Sequence, residues 1–140
     1  MRYLLDTCIL SEGRKPSPHP GVVSWFRKAE DSDLFISALT LGELEKGALR
    51  LPEGRKRKDL LEWIRQDVFR RFEGRILAID ERVALKWGEI QANAERQGRP
   101  LPVVDSLLTA TALVHQLMIV TRDNADMEAG GVQVLNPWNL

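Results

Sequence analysis

Residues 100–126 read PLPVVDSLLTATALVHQLMIVTRDNAD, and this stretch decides the class of fold. Its first part is an apolar helical pattern opened by Pro102, with Asp105 in the first helical turn. Its second part, LMIVT at 117–121, is a short apolar run typical of a buried strand, and Asp123 follows it. A helix that leads into a buried strand is the repeating unit of α/β proteins, so the stretch predicts a parallel sheet.

The same alternation extends along the chain. Further strands are predicted at 3–5, 34–37, 75–79 and 132–135, and segments with apolar residues at helical spacing lie between strands. Strands separated by helices indicate a mostly parallel sheet with helices on both faces. No linker or repeat divides the 140 residues. We therefore expect a three-layer α/β/α fold with one domain over residues 1–140.

Composition excludes several classes of protein. The 20 Lys and Arg residues balance the 20 Asp and Glu residues, so no overall basic charge indicates a nucleic-acid-binding protein. Cys8 is the one cysteine, which rules out an intramolecular disulfide framework and a cysteine-rich zinc site. No apolar run approaches the roughly 20 residues of a membrane span, and the N-terminus is predicted to be a strand rather than a signal peptide. We expect a cytoplasmic protein without membrane contact.

Four acidic residues are expected at one edge of the predicted sheet. Asp6 ends the first strand, and Asp123 follows the fourth. Glu43 is expected in the first turn of the helix after the second strand, and Asp105 in the first turn of the helix before the fourth. Because each helix runs antiparallel to its strands, all four carboxylates should lie at the carboxyl edge, where open α/β sheets bind ligands.

Each acid has an alternative explanation as a cap. The segment Thr40-Leu41-Gly42-Glu43 fits a capping box, in which the glutamate bonds back to the N-cap amide. Asp105 suits the positive end of a helix dipole, and Asp123 suits a turn. Asp80 also follows a predicted strand, and we interpret it only as a cap.

The acids considered together favour a metal site. Carboxylates a few ångströms apart repel by about 4 kcal/mol per close pair at a surface-like dielectric, so such a cluster raises some pKa values or binds cations. Oxygen ligands without cysteine or histidine select hard ions, Mg²⁺ or Mn²⁺.

Four motifs together resemble the PIN-domain ribonucleases. They are LLDT at 4–7, ISALTLGELEKG at 36–47, VVDSLLTATA at 103–112 and IVTRD at 119–123. More narrowly, the chain is similar to the toxin components of VapBC-type toxin–antitoxin pairs, and the closing NPW at 136–138 resembles the FitB subgroup.

The resemblance implies a five-stranded parallel sheet in the order 3-2-1-4-5. The third strand would be an outer strand, which places Asp80, the residue that follows it, away from the site. It implies one or two Mg²⁺ ions, with Mn²⁺ as the alternative. The implied catalytic and metal-binding residues are Asp6, Glu43, Asp105 and Asp123. Glu43 would act through a coordinated water or as a general base, and both roles stay open. Further implied site residues are Asp126 as an additional acid and Thr7 and Thr121 as hydrogen-bond donors.

The resemblance also implies a reaction and partners. The reaction is metal-dependent hydrolysis of an RNA phosphodiester, with a 3′-hydroxyl leaving group and a 5′-phosphate product. The implied partners are an inhibiting cognate antitoxin, a second copy of the chain in a homodimer, and promoter DNA reached only through the antitoxin. Candidate RNA-binding residues are Arg55, Lys56, Arg57, Lys58, Arg70 and Arg71, although a charge run is often only a solvated helix face.

Two other α/β classes with acidic pockets fail on particular residues. A signalling receiver domain would have adjacent acids after the first strand, and a phosphatase with a nucleophilic aspartate would have an acid at position 8. The chain has Thr7 and Cys8 there. A third alternative is a PIN-like protein that acts mainly as a regulatory partner in an antitoxin–DNA complex, with weak or no nuclease activity.

Overall fold

The computed structural model describes residues 1–123 and 125–140, and it confirms the predicted sheet. Five parallel strands are arranged in the order β3-β2-β1-β4-β5. The strands are β1 Tyr3–Leu5, β2 Leu34–Ser37, β3 Ile76–Leu77, β4 Met118–Val120 and β5 Val134–Leu135. The three predicted at 75–79, 117–121 and 132–135 are therefore shorter than expected, because pairing in the ladder covers only part of each apolar run.

Helices connect the strands. They are α1 Thr7–Arg14, α2 Pro20–Lys28, α3 Ala38–Leu49, α4 Arg55–Trp63, α5 Phe69–Arg71, α6 Glu81–Arg96, α7 Val103–His115 and α8 Ala125–Ala129. A π-helical segment, Ile64–Val68, joins α4 to α5, and short 3₁₀ turns occupy Asp31–Asp33 and Pro137–Asn139. None of the helices in the described residues is both long and apolar enough to cross a membrane.

Alternating side chains of the strands fill two apolar layers. Leu5 and Val120 point into a core with α1 to α4, whereas their neighbours Leu4 and Ile119 point into a core with α7 and α8. A third cluster around Val83 packs α6 against α7. Successive side chains of a strand point to opposite faces of the sheet. Two consecutive residues can therefore both be buried only if helices cover both faces. The predicted three-layer α/β/α architecture is confirmed.

Two local predictions were wrong. Helix α3 begins at Ala38, and the Ser37 hydroxyl caps it by accepting a 3.1 Å hydrogen bond from the Leu39 amide. Thr40 is therefore not an N-cap, the capping box does not form, and Glu43 lies in the second turn rather than the first. Helices α1 and α8 were not predicted, because eight and five residues give too little periodicity.

Helix ends explain where the acids lie. Asp105 lies in the first turn of α7, as predicted, and Asp6 is the N-cap of α1, a helix that was not predicted. Helix α6 ends just before Gly98, whose φ of 71° is in the left-handed region that glycine adopts without strain. Asp80 caps α6 by accepting a 3.0 Å hydrogen bond from the Val83 amide, after the outer strand β3. The predictions for Asp80 as a cap at the sheet margin are confirmed.

Candidate metal centre

The neighbouring strands β1 and β4 bring the first elements of the site together. Leu5 at the end of β1 pairs with Val120 at the end of β4. Asp6 follows Leu5, and Thr121 follows Val120. The Asp6 amide donates a 3.0 Å hydrogen bond to the Val120 carbonyl, which extends the ladder by one step. The sheet edge therefore fixes the backbone at both positions before any side chain is considered.

The Asp6 carboxylate is oriented by two short hydrogen bonds. Its Oδ1 accepts from the Thr7 amide at 2.7 Å, which is the helix cap, and its Oδ2 accepts from the Thr121 hydroxyl at 2.7 Å. The same Thr121 oxygen accepts from the Asp123 amide at 3.1 Å. Thr121 therefore ties the carboxylate after β1 to the backbone after β4.

Three other carboxylates form the tightest group. Asp105, Asp123 and Asp126 each offer an oxygen, and these oxygens lie within 4.8 Å of one another. Asp105 comes from the start of α7, and Asp126 from the first turn of α8. Asp123 and Asp126 are three residues apart, and α8 places the second acid beside the first. Asp126, which the sequence placed outside the main set, is thus part of this group.

Glu43 reaches the same edge from α3. Its Oε1 accepts a 2.8 Å hydrogen bond from the Thr7 hydroxyl. Thr7 thereby binds one carboxylate through its amide and another through its hydroxyl. Both threonines donate side-chain hydrogen bonds to carboxylates, which is the contact expected of them. Glu43 and Asp6 stand outside the three oxygens that lie within 4.8 Å.

The pKa of Asp105 shows that the other four acids are close enough to interact with it electrostatically. Burial, and then the negative charges of Asp6, Asp123, Asp126 and Glu43 in that order, together raise the pKa of Asp105 from 3.8 to about 6. When burial and like charges raise the pKa of a carboxyl group toward neutral pH, a nearby cation stabilises its ionised form. A cation bound at this edge would therefore stabilise the ionised carboxylates.

The donor set fits a hard divalent cation. The five convergent acids supply only oxygen, and the group with oxygens within 4.8 Å contains three carboxylates. Mg²⁺ is usually bound by a few carboxylates, keeps several waters and leaves room for substrate phosphate, and Mn²⁺ accepts the same ligands. Asp105, Asp123 and Asp126 would hold such an ion, with Asp6 beside them.

Cys8 is a site neighbour that the sequence analysis missed. Its Sγ lies 3.5 Å from the Thr121 hydroxyl and 3.9 Å from Asp6 Oδ2. Burial, followed by the charge of Asp6, raises the pKa of the Cys8 thiol above its ordinary value. The thiol therefore stays protonated at neutral pH and adds no negative charge beside the carboxylates. Cys8 lies two residues after Asp6, in the first turn of α1, and this spacing could have identified it as a neighbour of the site.

Comparison with known proteins identifies the family. The PIN-domain family model matches residues 3–129, so the chain belongs to the PIN-domain family. It is 38% identical to Toxin FitB of Neisseria gonorrhoeae (strain ATCC 700825 / FA 1090), over 97% of this chain and 98% of that protein. It is 31% identical to VapC ribonuclease Y4jK of Sinorhizobium fredii (strain NBRC 101917 / NGR234), over 96% of each.

A solved structure shows the same fold. The structure of FitAB bound to an IR36 DNA fragment superimposes with a TM-score of 0.92 at 36% identity, covering 99% of this chain and 96% of that one. Together with the two relatives, it confirms the resemblance to VapBC-type toxins and to FitB.

Proposed function

We propose that this chain is a divalent-metal-dependent endoribonuclease toxin. The observation that carries the proposal is the convergence of Asp105, Asp123 and Asp126, with Asp6 and Glu43 close enough to raise the pKa of Asp105. The names of the relatives, a toxin and a ribonuclease, give the substrate class. A cluster of this kind without a cation is an unfavourable arrangement of charge, and a phosphodiester nuclease is a class of enzyme that uses it.

The carboxylates have separate roles in this proposal. Asp105, Asp123 and Asp126 bind one or two Mg²⁺ or Mn²⁺ ions, and Asp6, oriented by its two hydrogen bonds, faces them from β1. When bound, such ions supply electrostatic stabilisation of the phosphodiester oxygens and lower the pKa of water.

Glu43 takes the proton from the attacking water. Its Oε1 is engaged by the Thr7 hydroxyl, which leaves Oε2 as the oxygen that receives the proton. Its place outside the group of three oxygens argues against direct ion binding, and contact with an ion through a coordinated water is the alternative role. The water attacks the phosphorus as Glu43 takes its proton, and the bond between phosphorus and the 3′-oxygen breaks. The departing oxygen takes a proton from a solvent water to give a 3′-hydroxyl, and the other product carries a 5′-phosphate.

An inhibiting antitoxin is part of the proposal. A groove of about 380 Å³ between α1, α2 and α4 is lined by Phe26 and Trp63, with Arg14, Arg27 and Arg71 among its walls. Apolar walls with basic residues suit an amphipathic segment that carries acidic side chains. An arginine from the same partner would complement the acidic cluster, because a guanidinium can replace a cation against paired carboxylates.

We further propose that the toxin forms a homodimer and reaches promoter DNA through the antitoxin. A DNA-bound FitAB assembly supports the second point. The balanced charge of this chain, 20 basic and 20 acidic residues, gives it no general attraction for DNA by itself. Light scattering of the purified chain and a gel-shift assay with and without the antitoxin test the two points.

The decisive experiment is cleavage of a mixed small-RNA pool by antitoxin-free protein. Reactions contain Mg²⁺, Mn²⁺ or EDTA, and they compare the wild type with Asp6→Asn, Asp105→Asn and Asp80→Asn. We expect EDTA and the first two substitutions to reduce cleavage by more than about 100-fold. A bound metal ion contributes several kcal/mol to transition-state stabilisation, and about 1.4 kcal/mol changes the rate tenfold.

Asp80→Asn is the matched control. The same chemical change falls on a cap after the outer strand β3, and asparagine caps a helix as well as aspartate does, so cleavage should be unchanged. If the metal-loaded wild type cuts nothing, the nuclease proposal fails and the regulatory alternative stands. Equal cleavage by the Asp6 and Asp105 variants would show that these acids do not act in catalysis.

A further inference from the structure

We propose that the C-terminal segment Asn136–Trp138 positions the metal-binding loop Thr121–Asp123, and that Arg122 is the positioning residue through which it acts. The inference rests on the proposed metal-dependent activity of the same site. It assigns a function to the last residues of the chain, which follow β5 and lie beyond residue 129, the last residue matched by the family model.

The segment contacts Arg122 through both side chain and backbone. The guanidinium carbon of Arg122 lies 4.4 Å from the centre of the Trp138 ring, which is a close cation–π contact. The Asn136 side-chain amide donates to the Arg122 carbonyl oxygen at 3.4 Å. The residue in the middle of the metal-binding loop is therefore contacted at two points by residues that are two positions apart.

The position of Arg122 determines the position of its two neighbours. The Thr121 hydroxyl donates to Asp6, and it accepts from the Asp123 amide at 3.1 Å. The Arg122 amide lies 3.5 Å from Cys8 Sγ. A shift of the backbone at Arg122 would therefore disturb the orientation of Asp6 and the carboxylate of Asp123 together.

The segment is rigid enough to act as a support. The Asn136 side chain accepts a 2.9 Å hydrogen bond from the Trp138 amide, and the buried Pro137 between them has a restricted φ. The backbone of Pro137 packs directly on α2, since a Cβ at Gly21 would overlap the Pro137 carbonyl oxygen. Trp138 packs against the core that β1 and α1 to α4 share.

Glu12 is a second partner of the Arg122 guanidinium. It is a buried acid of α1 that the proposed chemistry does not use, and its Oε1 lies 3.8 Å from the Arg122 guanidinium. The hydrogen bond from Lys15, at 2.9 Å, and then the His19 amide lower the pKa of Glu12, so it stays ionised. The Arg122 guanidinium thus contacts both a carboxylate and an aromatic ring.

The test measures Mn²⁺ affinity by calorimetry, and it measures hydrogen exchange of the Asp123 amide in metal-free protein by NMR. We expect Trp138→Ala and Arg122→Ala to weaken Mn²⁺ binding by about tenfold, the lower end of the effect of losing an outer-shell contact at a metal site. Both should accelerate exchange of the Asp123 amide. Trp138→Phe keeps an aromatic face for the guanidinium and should restore both values to within about threefold of the wild type.

Trp63→Ala is the matched control. It removes another arginine–tryptophan contact, in which the Arg14 guanidinium carbon lies 5.3 Å from the centre of the Trp63 ring on the α4 side, and it should leave both measurements unchanged. Unchanged Mn²⁺ affinity and amide exchange in the Arg122 and Trp138 variants would overturn the proposal.

The two proposals fail in different ways. If the wild type binds Mn²⁺ but cuts no RNA, the nuclease function fails while the positioning role is still decided by affinity. If the wild type binds no Mn²⁺, the metal function fails, and faster Asp123 exchange in the Trp138→Ala and Arg122→Ala proteins, reversed by Trp138→Phe, still supports positioning. Exchange at the wild-type rate in both alanine variants would then overturn it.

Discussion

Asp105→Asn should stabilise the metal-free protein, although it removes a proposed metal ligand. Raising the pKa of this carboxyl from 3.8 to about 6 means that the folded state binds the proton more tightly than the unfolded state. The free energy of unfolding therefore falls as the pH rises from about 4 to about 6, and the full penalty remains above pH 6. Asparagine removes the charge and with it the penalty.

The magnitude follows from the pKa change. The rise to about 6 corresponds to at most about 3 kcal/mol. Asp105 is only half-buried, so screening by solvent reduces this to roughly 1–2 kcal/mol. Losing a charge in the first turn of α7 costs about 0.3–1 kcal/mol through the helix dipole. The net gain is about 1 kcal/mol, which raises the melting temperature of a chain of this size by about 4 °C.

Differential scanning calorimetry in EDTA at pH 7.5 and pH 4 measures the effect. The Asp105→Asn protein should melt about 4 °C higher than the wild type at pH 7.5, and the difference should shrink toward zero at pH 4. Mn²⁺ at about 100 times its dissociation constant should stabilise the wild type by about 2.7 kcal/mol and the variant by much less.

Asp80→Asn again serves as the control, because it exchanges one good helix cap for another and should change neither value. A metal-free Asp105→Asn protein that melts below the wild type at pH 7.5 would refute the reasoning. A difference that is the same at both pH values would also refute it, because ionisation would then not be its cause.

Four further substitutions have defined outcomes. Glu43→Gln should reduce RNA cleavage by about 10²–10⁴-fold, the contribution of a general base, while Mn²⁺ affinity measured by calorimetry stays within about threefold. Thr121→Val removes the buried hydroxyl that donates to the carboxylate after β1 and should lower the free energy of unfolding by about 1.5–3 kcal/mol in urea titrations. Thr111→Val, which loses only a bond to a carbonyl within α7, should cost less than about 1 kcal/mol. Phe72→Ala leaves a cavity where a side chain that is 1% exposed packs in the core. It should lower the free energy of unfolding by about 3–5 kcal/mol in the same titrations.

The strand positions could be predicted because their signal is local. Short apolar runs bounded by turns identified all five strands, and the family resemblance gave their order. The extents of β3, β4 and β5 could not be predicted, because they depend on which residues pair with the neighbouring strand. The start of α3 was missed because Ser37 and Thr40 are both good caps, and only the backbone at the end of β2 decides between them.

The convergence of Asp6, Glu43, Asp105 and Asp123 on one edge was predictable from topology, and their proposed roles stay predictions. The place of Asp126 in the tightest group was not, because it requires α8, a helix of five residues. The contacts of Arg122 were also beyond the sequence. They join α1, the loop after β4 and the C-terminal segment, which are distant in the chain.

The sequence by itself determined the alternation of strands and helices and the acids that follow β1 and β4, since hydrophobic periodicity and turn chemistry act over a few residues. Only the tertiary structure decided which carboxylates share a cation and which side chains orient them. Those distances, such as the 2.7 Å between Thr121 and Asp6, arise from the packing of elements more than a hundred residues apart. Electrostatic interaction falls off with distance, so a metal site is defined by this packing rather than by spacing along the chain.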